Sequence, residues 1–128
     1  MVRTEPIIAV NDVKASSQWY QSLLACQNSH SNSIFDQLVD TDGTILLCLH
    51  HWGDHGHPSL LSPDHGKPGN GLLLFFSWVD DFDRTWERAQ SLGTKIEEEP
   101  HLNPFAGHTE FTLRDLDGYH ITICSVPV

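Results

Sequence analysis

The chain has 128 residues, the size of one domain or of two small modules sharing a core, and long enough to fold without disulfides or a structural metal. Its 17 acidic against 7 basic residues give a formal net charge of −10, so nucleic acid and anionic membrane are poor partners and a cationic or neutral small molecule is easier to accommodate. The three cysteines, Cys26, Cys48 and Cys124, are odd in number and form no C-x-x-C, which argues against a disulfide scaffold or zinc knuckle and for a reducing cytoplasm.

Pro6 to Val10 reads as a strand, too short and isolated to be a membrane span or a signal-peptide core. Asn11-Asp12 caps a helix that starts at Val13. Val13, Ser16, Ser17, Tyr20 and Leu24 recur at helical spacing, Trp19 and Leu23 flank them, and the helix should end near Ala25. Ser33–Val39 and Thr44–His50 are strands joined by the Asp42-Gly43 turn. Residues 51–71 are rich in His, Gly, Pro, Ser and Asp and have no period, so they read as a loop joining modules. Gly71–Val79 is a nearly continuous apolar strand. Asp80-Asp81 caps a second helix whose inner face is Phe82, Thr85, Trp86, Ala89 and Leu92, with Gly93 as its stop. Thr94–Glu98 is a short edge strand ending at Pro100. Thr109–Arg114 and His120–Cys124 are strands joined by Asp117-Gly118.

The two halves repeat. An offset of 69 places Val10 on Val79, Asp12 on Asp81, Gln21 on Gln90, Ser22 on Ser91 and Leu23 on Leu92, and the two Asp-Gly turns lie 75 apart. The chain is therefore expected to be a single α+β domain, residues 1–128, built of two βαβββ modules at about 1–60 and 71–128 with the loop 51–70 between them. Curved sheets would pair around a cleft, with the helices on the outer faces. That cleft is the default ligand site.

Val10-Asn-Asp-Val-Lys-Ala-Ser-Ser-Gln-Trp-Tyr20, Asp80-Asp-Phe-Asp83 and Glu110-Phe-Thr-Leu-Arg-Asp-Leu-Asp-Gly-Tyr119 together resemble the vicinal oxygen chelate superfamily of glyoxalases, bleomycin-resistance proteins and extradiol dioxygenases. Leu116 stands where that family's turn signature usually has Pro. The resemblance covers nearly all the chain outside the 51–71 loop and is specific for fold, weak for activity. It implies metal ligands on the first and last strand of each module. Counted from the helix caps and turns, those positions fall on Glu5, Leu47, Leu74 and Thr122. Two leucines and a threonine make no divalent site, so the family metal is expected to be absent and no cofactor is expected. The resemblance also implies a homodimer.

The same counting predicts an inward set of Ile7, Ile45, Leu47, Leu49, Leu74, Phe76, Trp78, His120, Thr122 and Cys124, with Ile8, Val10, Cys48, Phe75, Ile121 and Ile123 under the helices. Such a face binds flat, partly hydrophobic molecules, or it merely fills a closed core. His120 is the candidate catalytic residue, as a general base or simply a solvent-bonded strand-end imidazole. Glu110 borders the site if its strand parity allows, and Trp52 contacts ligand if the loop folds over as a lid. His50, His51, His55, His57 and His65 could hold zinc or nickel, although a solvated loop is the simpler reading. Gly66–Gly71 precedes a strand, so it is a linker and not a phosphate cradle. The leading expectation is a metal-free small-molecule-binding protein of the bleomycin-resistance kind. The rivals are a lyase, isomerase or dioxygenase with displaced metal ligands, and a non-catalytic interaction module.

Overall fold

Strand and helix signals alternate twice along the chain, and the computed structural model builds each series into its own four-stranded mixed sheet with one helix. It describes residues 1, 3–29, 31–66 and 68–127, without the side chain of His65. Lys67 of the expected linker is outside that range. The chain divides into two compact units, Met1–Lys67 and Pro68–Val128. The first holds β1 (Ile7–Val10), α1 (Val13–Leu24), β2 (Gln27–Asn28), β3 (Phe35–Val39) and β4 (Ile45–His51). The second holds β5 (Leu73–Val79), α2 (Phe82–Ser91), β6 (Ile96–Asn103), β7 (His108–Arg114) and β8 (His120–Ser125). Strand order is β1-β4-β3-β2 in one sheet and β5-β8-β7-β6 in the other. In each, the first strand runs parallel to the last and the other pairs are antiparallel. This is an α+β fold of two βαβββ modules.

In the first unit Asp12 caps α1 by accepting from the Ala15 amide at 3.0 Å. The helix ends on Ala25 in the left-handed region, φ 53°. Its buried stripe, Val13, Ser16, Ser17, Trp19, Tyr20 and Leu23, packs on β3 and β4. Register decides which sheet face it meets. Ile8 pairs with Leu49 and Leu38 with Leu47, and these four with Val10 form the helix-covered core face. Ile7 pairs with Cys48, Cys48 with Gln37, and His50 with both Ala9 and Phe35, so these residues share the opposite face, open only in that no helix lies on it, since Ala9, Cys48 and His50 are themselves buried. β2, a two-residue edge strand, carries no alternation for a sequence pattern to catch.

In the second unit Asp81 caps α2 through the Arg84 amide at 3.2 Å, and Gly93 follows with φ 75°, as its left-handed stop requires. Phe111 lies against both Phe82 and Trp86 of α2, with ring centroids 5.4 and 4.9 Å away. Through the strand pairing that helix face also carries Phe76, Ile123, Leu74, Ile121 and Leu113. The other face, open in the same sense although Thr112, Thr122, Cys124 and Glu110 on it are buried, carries Leu73, Phe75, Glu110, Thr112, Thr122, Cys124 and His120. β6 runs past the expected stop at Pro100 to Asn103. It is an edge strand, where a residue without an N–H is tolerated, and two register shifts let it through. The 51–71 loop is not structureless, since it holds one-turn 3-10 segments at Asp54–Gly56, Pro58–Leu60 and Pro63–His65.

Candidate functional site

The expected inward set does not share one face. Ile7, His120, Thr122 and Cys124 stand on the open faces of their sheets, and Glu110, whose parity the sequence leaves open, joins them, but Leu47, Leu49, Leu74 and Phe76 lie under the helices, and Cys48 and Phe75, expected there, lie on the open faces. Two bulges explain the correction. Between Val39↔Ile45 and Leu38↔Leu47 one extra residue enters β4, so counting from the Asp42-Gly43 turn comes out one residue off. Between Phe76↔Ile123 and Val79↔Ser125 one extra residue enters β5, so counting back from the α2 cap fails in the same way. Trp78 sits at that second bulge with φ 59° and 68% of its surface exposed. Trp52 lies half-buried in the turn after β4.

The donor set expected at the family metal positions does not fit a divalent ion. Glu5 is exposed before β1, Leu47 and Leu74 offer no donor and are covered by helices, and the Thr122 hydroxyl is hydrogen-bonded to that of Thr112 at 2.8 Å. The reason first given for the missing donors, leucines facing inward, falls with the register. On the open faces the corresponding strands carry Cys48 and His50 in β4 and Leu73 and Phe75 in β5.

On the open face of the second unit the pairs Glu110↔Cys124 and Thr112↔Thr122 are symmetric about Asp117, which fixes the parity of Glu110. Two residues before it, His108 points the same way. His108 Nε2 donates to Glu110 Oε1 at 2.9 Å, and Asn103 Nδ2 donates to the same oxygen at 2.7 Å. Oε2 takes no hydrogen bond among the described residues. Burial pushes the Glu110 carboxyl up, but the bonds from Asn103 and His108, with the His108 and His101 charges, outweigh it and hold the group below its usual range. Glu110 is therefore an ionised carboxylate at 9% exposure. Cys124 lies beside it. Burial, and then the Glu110 charge, push that thiol up to about 12, so it is neutral and unreactive. The Phe75 ring leans over His108 with centroids 5.9 Å apart and is 48% exposed. His120, half-buried at the start of β8, pairs with Leu73 and Arg114, and its ring has no hydrogen-bond partner among the described residues.

Sequence reasoning missed His108, Asn103, Phe75 and Thr112. His-x-Glu at 108–110 inside a strand was a usable signal, since alternate residues face together. Asn103 was hidden because the strand that carries it passes through Pro100. In the first unit, His50, His55 and His57 come together, each offering a ligand atom within 4.8 Å of the others, where a solvated loop was expected. The side chain of His65 is outside the described set.

Compared with known proteins, the family model described as Glyoxalase/Bleomycin resistance protein/Dioxygenase superfamily matches residues 3–123. No curated protein matches. Among solved structures, a glyoxalase/bleomycin resistance protein/dioxygenase family enzyme from Burkholderia phytofirmans PsJN superposes with TM-score 0.75 at 21% identity, covering 94% of this chain and 95% of its own. TioX from Micromonospora sp. ML1 gives 0.70 at 19% identity, with 98% of each chain covered. Protein ATC0852 from Agrobacterium tumefaciens gives 0.71 at 24%, again with 98% of each. At these identities the likeness to the structures is one of fold.

Proposed function

The chain belongs to the Glyoxalase/Bleomycin resistance protein/Dioxygenase superfamily, and from that premise we propose that it binds a flat, cationic small molecule on the open face of its second sheet without transforming it. The observation that carries this reading is Glu110, a buried, ionised carboxylate with both protein hydrogen bonds on one oxygen and the other left for a ligand. A cation placed there gains ion-pair attraction in a partly desolvated setting, where a unit charge is screened less than in bulk water. The exposed face of Phe75 beside it offers stacking and cation–π attraction. The net charge of −10 draws a cation toward the protein and repels an anion.

Titration calorimetry with N-methylquinolinium and with neutral quinoline at neutral pH tests it. The cation should bind about tenfold more tightly, a difference of about 1.4 kcal/mol. Glu110→Gln keeps an acceptor oxygen but removes the charge, and should erase the preference. Equal affinity for the two probes, or a preference that survives Glu110→Gln, would overturn the proposal.

A further inference from the structure

We propose that the first unit holds a borderline divalent transition-metal ion through the imidazoles of His50, His55 and His57. The site is separate from the positions the family resemblance assigned, and it rests on neither Glu110 nor the second sheet. His50 supplies the strongest reason. It lies on β4 at 2% exposure, and its Nδ1 is 2.7 Å from the carbonyl oxygen of His51. A carbonyl only accepts, so Nδ1 carries the proton and Nε2 carries a lone pair. That Nε2 is buried and has no hydrogen-bond partner among the described residues. An orphaned buried acceptor costs free energy unless something occupies it.

His55 and His57 come to the His50 ring from the loop. Each ring centroid is 5.3 Å from that of His50, and the rings stand nearly perpendicular to it, at 81° and 82°. The loop is shaped to bring them there. His55 has φ 61°, in the left-handed region where a β-carbon is disfavoured, and Gly53 before it has φ 86°. His51 Nδ1 meets Asp54 Oδ2 at 2.7 Å, tying the loop back to the end of β4. The three ligand atoms lie within 4.8 Å of one another, and a tetrahedral zinc site needs about 3.3 Å between nitrogens, so modest rotation of the two exposed imidazoles closes it.

The chemistry selects the ion. Three neutral nitrogens suit zinc, nickel, cobalt or copper and not magnesium or calcium. The His50 Nδ1–H bond to a carbonyl is the kind of outer contact that fixes the tautomer of a ligating histidine. Three protein ligands leave a fourth position open to water or a substrate oxygen. The other grouping of donors, His108, Glu110 and Cys124, is a poorer candidate, because His108 Nε2 and Glu110 Oε1 are bonded to each other and the Cys124 thiol must lose a proton to ligate.

The test uses the full chain, stripped with chelator and titrated with zinc alone by calorimetry, then with cobalt by absorption. One zinc per chain is expected. His55→Ala and His57→Ala change exposed side chains and preserve the fold, and each should weaken zinc binding by at least about tenfold. Cys124→Ser and Glu110→Gln should leave it unchanged, which separates this site from the one on the second sheet. The cobalt spectrum should show nitrogen and oxygen ligation with no thiolate charge-transfer band. A chain that takes up no zinc, zinc binding indifferent to both His55→Ala and His57→Ala, or a thiolate band would overturn the proposal.

Discussion

Glu110 shows how one side chain couples binding to stability. Its carboxyl is depressed in the folded protein by Asn103 and His108 against the opposing pull of burial. A group whose folded pKa lies below its unfolded one contributes in full above the unfolded value, near ~4.3 for glutamate, and loses that contribution as pH falls through the folded value. The wild-type protein should therefore lose stability on acidification from about pH 5 downward more steeply than Glu110→Gln. At neutral pH the substitution should cost about 1 kcal/mol, because a charge-assisted bond becomes a neutral one. Urea midpoints of the two proteins measured across that range check both statements, since the curves must converge as the wild-type carboxylate protonates. A variant that keeps the full wild-type acid slope would show that other carboxylates carry it.

At the scale of elements, the signals that could be read were those carried by local chemistry. Asp12 and Asp81 are good caps because their carboxylates reach the amide three residues on, and both do so. Gly93 and the Asp-Gly turns demand left-handed glycines and have them. Sheet parity could not be read, because it depends on every residue between the landmark and the strand. The bulge in β4 and the bulge at Trp78 each shift the count by one, enough to exchange Leu47 for Cys48 and Leu74 for Phe75 on the open faces. Nor did composition show that His55 and His57 fold back on His50, since only the backbone path of the loop brings them there. Ala25 marks another place where local chemistry is not optimal. It closes α1 in the left-handed region, is exposed, and carries a β-carbon that the conformation disfavours. Ala25→Gly should raise stability by about 0.5–1 kcal/mol, read as a higher denaturation midpoint at unchanged slope.

For the whole molecule, the duplication repeats the frame and not the chemistry. Both units use the same strand order and a cap at the matching position, yet one gathers imidazoles on its open face and the other an imidazole–carboxylate pair beside an aromatic ring. The second unit differs again at its edge. β5 is the outer strand of its sheet, and Leu72, Leu73 and Trp78, on or beside it, are each at least 42% exposed. An exposed apolar row on a sheet edge is both a template for pairing and a surface that favours burial. We expect two chains to cover it mutually, giving a homodimer of about twice the 14.4 kDa chain mass in light scattering. Trp78→Asn tests this without new strain, because asparagine accepts the left-handed backbone that tryptophan occupies there. It removes a large exposed indole from the row, and the dimer dissociation constant should rise about tenfold or more if that indole anchors the contact. A wild-type chain that scatters as a monomer at tens of micromolar would overturn the dimer, and a dimer indifferent to Trp78→Asn would place its interface elsewhere than on this edge.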